Sequence, residues 1–441
     1  MFWRDTQLAF TAFPPLADIP YILFAGHAWD WAASTWHAVG ALLTIFLLDQ
    51  TMRNLEATQD ARIWAGIIWI SMPTVFSLCG WEYVDLWLCA TAAGMAAILS
   101  KAEITAKDAW ILGLLSGIAM LIKYNGLPLA FGAGVALLWH SSKAPLTALT
   151  NALRMTTATI FVAGWWYLTN TIELGHPLYP MGSGEEHSLT WLQYRIYAYD
   201  EHPLWAMLAP FRLFFWGLIN NPQYFDGMLN PVLLAAFPAL WIFRHDKQRM
   251  ALGIMFFSYF IFALTTGARA RYTLPAAILM LPISLCLVYQ LKKPVRQALL
   301  VGSMLLPLIA TSFYISQLSP WHYWQHGRDS FLQRHIPDYA LQQWASSQLP
   351  ESSTIILLWT GGRAYYLHHT YSFDFGREGE TLRKAIAQQS SYEHDYILMH
   401  RKLADKTLGE DLGEAWKLFL DQTCIIATQN MFELRSLKPC K

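Results

Sequence analysis

Charge is scarce in this sequence: Asp, Glu, Lys and Arg make up 14% of 441 residues, and acidic and basic residues cancel at 31 each. A formal charge of zero removes the whole-molecule field that draws a protein to nucleic acid or another polyanion, so no nucleic-acid partner is expected. Cysteine is sparse too. Five residues with no CxxC pair exclude zinc ribbons and thioredoxin-like redox chemistry. Nucleotide and hydrolase signatures are lacking as well: no Walker A, GxSxG, HExxH or GxGxxG pattern occurs in its proper context. The glycines of GSGEEH (182–187) have neither the preceding strand nor the following helix that a phosphate loop needs, so they read as a loop.

What the chain has instead is apolar and aromatic surface, with 54% hydrophobic residues and 21 tryptophans. That composition belongs in a bilayer. Apolar runs near the ~20-residue crossing length fall at 31–52, 64–80, 86–100, 109–122, 126–140, 155–171, 228–243, 251–266, 272–291 and 297–316. Alternate connections carry Arg53 and Arg62, Lys101 and Lys107, Lys143 and Arg154, Arg244, Lys247 and Arg249, and Lys292, Lys293 and Arg296. The positive-inside rule makes these cytoplasmic. WEYVD (81–85), KYNG (123–126), the stretch 172–227 and TGARARY (266–272) then face the periplasm. Counting the apolar segment 204–219 as a span would invert every later loop, so it reads as a helix lying in the interface, as does the short PLADIPYILFAG (15–26).

After 317 the hydrophobic runs shorten, and STIILLW (353–359), DYILMH (395–400) and TCIIATQ (423–429) read as buried strands between polar helices. The expected architecture is an α-helical polytopic membrane protein of about ten transmembrane helices plus periplasmic interfacial helices. Residues 1–317 form this membrane domain, with periplasmic loops at 1–30, 81–85, 172–227 and 266–272, and 318–441 form a small C-terminal periplasmic α/β domain. In that oxidising compartment Cys424 and Cys440, which flank a hairpin, are candidates for a disulfide; Cys79, Cys89 and Cys286 sit in apolar runs as packing residues. Ten spans with an outside C-terminus also place the N-terminus outside, with no leading span to carry it there. A first span upstream of Met1 is the expectation that follows.

Ionisable residues bordering the outer leaflet are the first place to look for chemistry. Glu82 and Asp85, Lys123 with Tyr124, and Arg269 with Arg271 all fall at that face, and Asp18 follows Pro14-Pro15 there. Each has a plainer reading beside the functional one. Lys123, Arg269 and Arg271 also suit snorkelling to headgroups, Asp85 a first-turn acid on a helix dipole, and Asp18 a solvated interfacial site. Trp165, Trp166 and Tyr167 suit an aromatic belt. A metal site is not expected, because Glu82 and Asp85 are three apart with no third ligand evident. No cofactor is expected either.

The order of several stretches resembles the GT-C superfamily of membrane glycosyltransferases, in particular the relatives of protein O-mannosyltransferases and aminoarabinose transferases. The matching stretches are FPPLADIPY (13–21), EYVDL (82–86), GLLSGIAMLIKYNGL (113–127), GWWYLTNTIELGHPLYP (164–180), with His176 where the family has Asn, and the Arg-Tyr of ARARYTLP (268–275). The resemblance implies transfer of a sugar from a polyprenyl-phosphate donor to a periplasmic protein, glycan or lipid acceptor at the bacterial inner membrane. It carries catalytic-site roles over to Asp18, Glu82 and Asp85 as donor- or acceptor-positioning acids, and substrate-binding roles to Lys123, Tyr124, His176, Tyr179, Arg269, Arg271 and Tyr272. The family's own catalytic carboxylate lies upstream of Pro-Pro, and Asp5 stands too close to that turn to take its part. Two other classes remain as alternatives. A lipid-linked-sugar transporter or flippase would call for midplane charges and internal repeats, neither of which is seen. A catalytically inactive scaffold of GT-C type would keep only binding or assembly.

Overall fold

In the computed structural model the apolar runs coincide with helical segments, and the polar punctuation between them sets where each begins and ends. Described are residues 14–24, 30–80, 83–179, 191–219, 221–265, 269–318, 320–360, 367–373, 380–388 and 394–438. Contacts divide the chain into two units, Ala12–Ile315 and one that contains Ser316–Lys441.

The first unit begins with α1 (Ile19–Phe24), α2 (Asp30–Asn54), α3 (Gln59–Ser71), α4 (Pro73–Leu78), α5 (Asp85–Leu99), α6 (Ala106–Ile122), α7 (Gly126–His140) and α8 (Pro145–Leu174). After these come the short α9 (Trp191–Tyr199), α10 (Pro203–Met207) and α11 (Ala209–Arg212), then 3-10 turns at Pro222–Tyr224 and Pro231–Ala235. Helices α12 (Ala236–Ile242), α13 (Lys247–Thr265), α14 (Ala270–Val288) and α15 (Lys293–Leu318) complete the series. Thr58 caps α3, Thr105 and Asp108 form a reciprocal capping box on α6, and Gly175, at φ 75°, ends α8.

Two runs depart from expectation. The run 64–80 breaks at Met72, whose ψ of 125° is extended because it precedes Pro73, so it forms two helices. The run 228–243 starts late: Asn230 caps a 3-10 turn that only becomes α-helical at Ala236. The segment 204–219 folds as two short helices and turns, with no long helix.

Close approach between helices rests on small residues. Gly113 and Gly117, one turn apart on α6, face α8; a Cβ on Gly113 would lie 2.3 Å from the Met155 carbonyl oxygen, and one on Gly117 2.6 Å from Val162 Cβ. Such small-residue ridges let backbones meet where no water-driven burial is available. Helix α5, buried almost throughout, packs on α14, which is itself buried along nearly its whole length. Elsewhere the surface is greasy, with Phe161 83%, Leu146 79% and Phe46 73% exposed. By length and composition, α14 and α15 are long and apolar enough to cross a bilayer, while α5, α7 and Pro231–Ile242 are apolar but shorter.

The second unit contains α16 (Pro320–His335, kinked at Gly327), α17 (Tyr339–Gln348), β1 (Thr354–Leu358), β2 (Thr370–Phe373), α18 (Glu380–Gln388), β3 (Tyr396–His400), α19 (Arg401–Leu412), α20 (Glu414–Gln422), β4 (Cys424–Gln429) and β5 (Phe432–Ser436). The sheet order is β2-β1-β3-β5-β4, parallel across the first three strands and antiparallel across β3-β5-β4. Side-chain alternation buries both faces: Ile356, Leu358, Ile397 and Met399 join Trp416 and Phe419 on one, while Ile355, Leu357 and Leu398 join Leu341 and Ala345 on the other. The stretches read as strands become β1, β3 and β4. The hairpin expected between Cys424 and Cys440 is β4-β5, with buried Arg435 of β5 satisfied by Glu433, Thr423 and the Leu420 carbonyl, whereas TYSF, which forms β2, was not expected to be a strand. Cys424 is disulfide-bonded, and Cys440 lies outside the described residues.

Candidate functional site

The site is built where α5 and α14 begin and α6 ends. Asp85 opens α5, its carboxylate in the first turn, where the helix dipole favours negative charge. Lys123 follows α6 in extended conformation, at φ −165° and ψ 149°, because the chain reverses there into α7. Its Nζ donates to Asp85 Oδ1 at 2.7 Å; the Asp85 side chain is 3% exposed and the Lys123 side chain 26%. Asp85 Oδ2 is buried and has no hydrogen-bond partner among the described residues. Among the described residues the pair therefore keeps an unused acceptor and a partly open ammonium.

Helix α14 adds two more cations. Arg269 caps it and pairs with Asp226 at 3.2 Å, and Arg271 Nη2 donates to the Tyr272 hydroxyl at 3.0 Å. The Tyr272 ring gathers all three: Lys123 Nζ lies 4.7 Å from its centroid, Arg271 Cζ 4.8 Å and Arg269 Cζ 5.9 Å. Arg271 also lies 4.9 Å from the Tyr83 ring, and no carboxylate pairs with it among the described residues. Lys123 and Arg269 are thus paired with carboxylates, and Arg271 is the cation of the three that has no carboxylate partner among the described residues.

Asp18 is brought to the same place. The Leu16 amide donates to the Leu121 carbonyl at 3.0 Å, and the Tyr21 hydroxyl donates to the Tyr83 carbonyl at 2.5 Å, anchoring this segment beside the end of α6. The Asp18 side chain is open to solvent on one side and crowded by protein on the others. Desolvation raises its pKa to about 6, against an opposing pull from Lys123.

Tyr124, Tyr179 and His176 form a neighbouring cluster that orders the loop after α8. Buried Tyr124 donates its hydroxyl to the Tyr179 carbonyl at 2.8 Å and accepts from Asn170 Nδ2 at 2.9 Å. His176 Nδ1 accepts from the Leu178 amide at 3.2 Å. Glu82 and GSGEEH lie outside the described residues. Of the adjacent tryptophans, Trp166 is buried and only Trp165 faces outward.

Sequence reasoning overlooked His37, Asp226 and Asn170. His37, fully buried on α2, receives the Leu86 amide on Nε2 at 2.9 Å, so its Nδ1 carries the proton donated to the Leu78 carbonyl at 2.8 Å. It thereby ties the end of α4 to the start of α5, one residue from Asp85. An ionisable residue inside an apolar run was the available signal. For Asp226 the signal was the turn-forming Phe-Asp-Gly of 225–227.

The fold of this chain recurs among solved structures. Three solved structures share it: ArnT, the aminoarabinose transferase from Cupriavidus metallidurans, in the apo state (TM-score 0.59, 13% identity, 98% of this chain and 89% of that one) and bound to undecaprenyl phosphate (0.60, 12%, same coverage), and the Archaeoglobus fulgidus oligosaccharyltransferase in complex with Zn and sulfate (0.52, 12%, 95% of this chain and 64% of that one). No family model matches the sequence, and no curated protein matches it.

Proposed function

We propose that this chain is an integral membrane glycosyltransferase that moves a sugar from a polyprenyl-phosphate donor to a periplasmic protein, glycan or lipid acceptor. In this reading it crosses the bacterial inner membrane about ten times, with the sheet-bearing domain in the periplasm. The observation that carries the reading is the gathering of Lys123, Arg269 and Arg271 around Tyr272 beside Asp85. The fold shared with a structure bound to undecaprenyl phosphate supports it.

The chemistry accounts for the residue types. As the bond between the sugar's anomeric carbon and the phosphate oxygen breaks, its electron pair stays on the polyprenyl phosphate, and Lys123, Arg269 and Arg271 stabilise that growing charge. The acceptor hydroxyl or amine attacks the same carbon and gives its proton to a carboxylate. Asp18, with its pKa near 6, is ionised at neutral pH and basic enough for this task. Asp85 holds Lys123 in place.

Membranes carrying the full chain will incorporate labelled sugar from a polyprenyl-linked donor, and an Asp85→Ala, Lys123→Ala double variant will not. Equal incorporation by both would sink the reading. Translocation of lipid-linked sugar in reconstituted vesicles without new glycosidic bonds would favour a transporter instead.

A further inference from the structure

Between α8 and α12 the chain buries three charges that the site above does not use. Glu201 accepts from Arg195 Nε at 2.8 Å and Nη2 at 2.5 Å, and from Arg212 Nη1 at 3.0 Å and Nη2 at 3.1 Å. Arg195 is wholly buried, and the Glu201 and Arg212 side chains are each 7% exposed. Burial opposes the ionised carboxylate, but the two guanidiniums outweigh it and hold Glu201 below its usual range. A buried ion triad is a poor source of net stability, so the question is what it fixes.

It fixes a strained turn. Arg195 Nη2 donates to the Gln223 carbonyl at 2.7 Å, and the Arg195 and Arg212 guanidiniums lie 4.2 Å and 5.3 Å from the Phe225 ring. Phe225 (φ 66°), Asp226 (φ 51°) and Gly227 (φ 134°) are three successive residues with positive φ. A buried phenylalanine stays in the left-handed region only where its surroundings over-determine it. At Gly227 no side chain fits, because a Cβ would lie 2.2 Å from Thr74 Oγ1. On its other side the turn grips α14: the Phe225 carbonyl accepts the Ala270 amide at 2.7 Å, and Asp226 pairs with Arg269.

We infer that Glu201 is a positioning residue: by holding Arg195 and Arg212 against Phe225 it sets the turn 225–227, which in turn sets Arg269 and the start of α14. The inference rests on the reading of Lys123, Arg269 and Arg271 as ligands of the donor phosphate. A residue acting through Arg269 must lose its effect once Arg269 is gone, which a general contribution to folding does not do.

The test is binding of undecaprenyl phosphate to the full chain in lipid nanodiscs, measured for the wild type, Glu201→Gln, Arg269→Ala and the double variant. Expected is a loss of about tenfold for Glu201→Gln, partial recovery with Glu201→Asp, and no further loss from Glu201→Gln in the Arg269→Ala background. Phe225→Leu, which keeps the triad but removes its aromatic face, will show the same non-additivity and serves if Glu201→Gln does not fold. Unchanged binding, or an equal loss in both backgrounds, overturns the inference while leaving the phosphate reading intact. A wild type that does not bind the lipid phosphate overturns both.

Discussion

Asp85 and Glu201 are both buried carboxylates paired with cations, yet they are spent differently. Both oxygens of Glu201 are taken by two arginines inside the periplasmic stretch of the sequence reading. Asp85 has one partner, a partly open lysine, and an oxygen with no hydrogen bond among the described residues. A saturated carboxylate holds backbone in place, because every acceptor site is committed. An unsaturated one beside an accessible ammonium keeps capacity for a ligand, at the cost of burying an unmet acceptor.

The contrast breaks down if the two sites respond alike to loss of charge. Lys123→Ala is expected to cut sugar transfer about 100-fold or more, as removal of a charge-stabilising donor does, while the protein remains folded in detergent. Sugar incorporation and size-exclusion profiles measured together check this. Glu201→Ala is expected to act first on stability, lowering it by about 3 kcal/mol because two guanidiniums are left buried without an anion. Thermal unfolding of the full chain would read it. If Lys123→Ala proves the more destabilising of the two, the assignment of roles is reversed.

Smaller effects sharpen the comparison. His37→Leu strands the Leu86 amide and the Leu78 carbonyl, costing about 1–2 kcal/mol and loosening the start of α5; activity should fall while Glu201-dependent stability stays. Asp18 supplies the smallest and most specific signature. Its pKa is raised to about 6, so the base form is lost as pH falls through 6, and transfer should rise with pH across that value. Asp18→Asn should remove this limb of the profile. The sign for stability is opposite: the folded protein holds that proton more tightly than the unfolded chain, so ionised Asp18 opposes folding at pH 7. That cost fades as pH drops through 6 toward 3.8.

The helical segments were legible because apolar runs and their caps are local. Thr105 and Asp108 announce α6, and Pro145 opens α8. The break at Met72-Pro73 was also written locally, but the run's hydrophobicity masked it. The strands β1, β3 and β4 showed as short apolar runs and β5 as the returning arm of the hairpin, although Arg435 and Glu433 look like surface residues until each has its partner. At the site, span parity placed Asp18, Asp85, Lys123, Arg269 and Arg271 at one face without saying which would touch. Pairing Asp85 with Lys123 joins residues 38 apart in sequence.

Composition and periodicity alone determined that this is a mainly helical chain with an apolar exterior and a small α/β companion, since burial preference is a property of each residue and its near neighbours. The tertiary structure alone decided that three cations share the Tyr272 ring, that one Asp85 oxygen has no hydrogen-bond partner among the described residues, and that two arginines occupy both oxygens of Glu201. Those facts depend on distances of a few ångströms between segments far apart in sequence. Electrostatic and hydrogen-bond energies change steeply over such distances, and the linear pattern of residues does not encode them one by one.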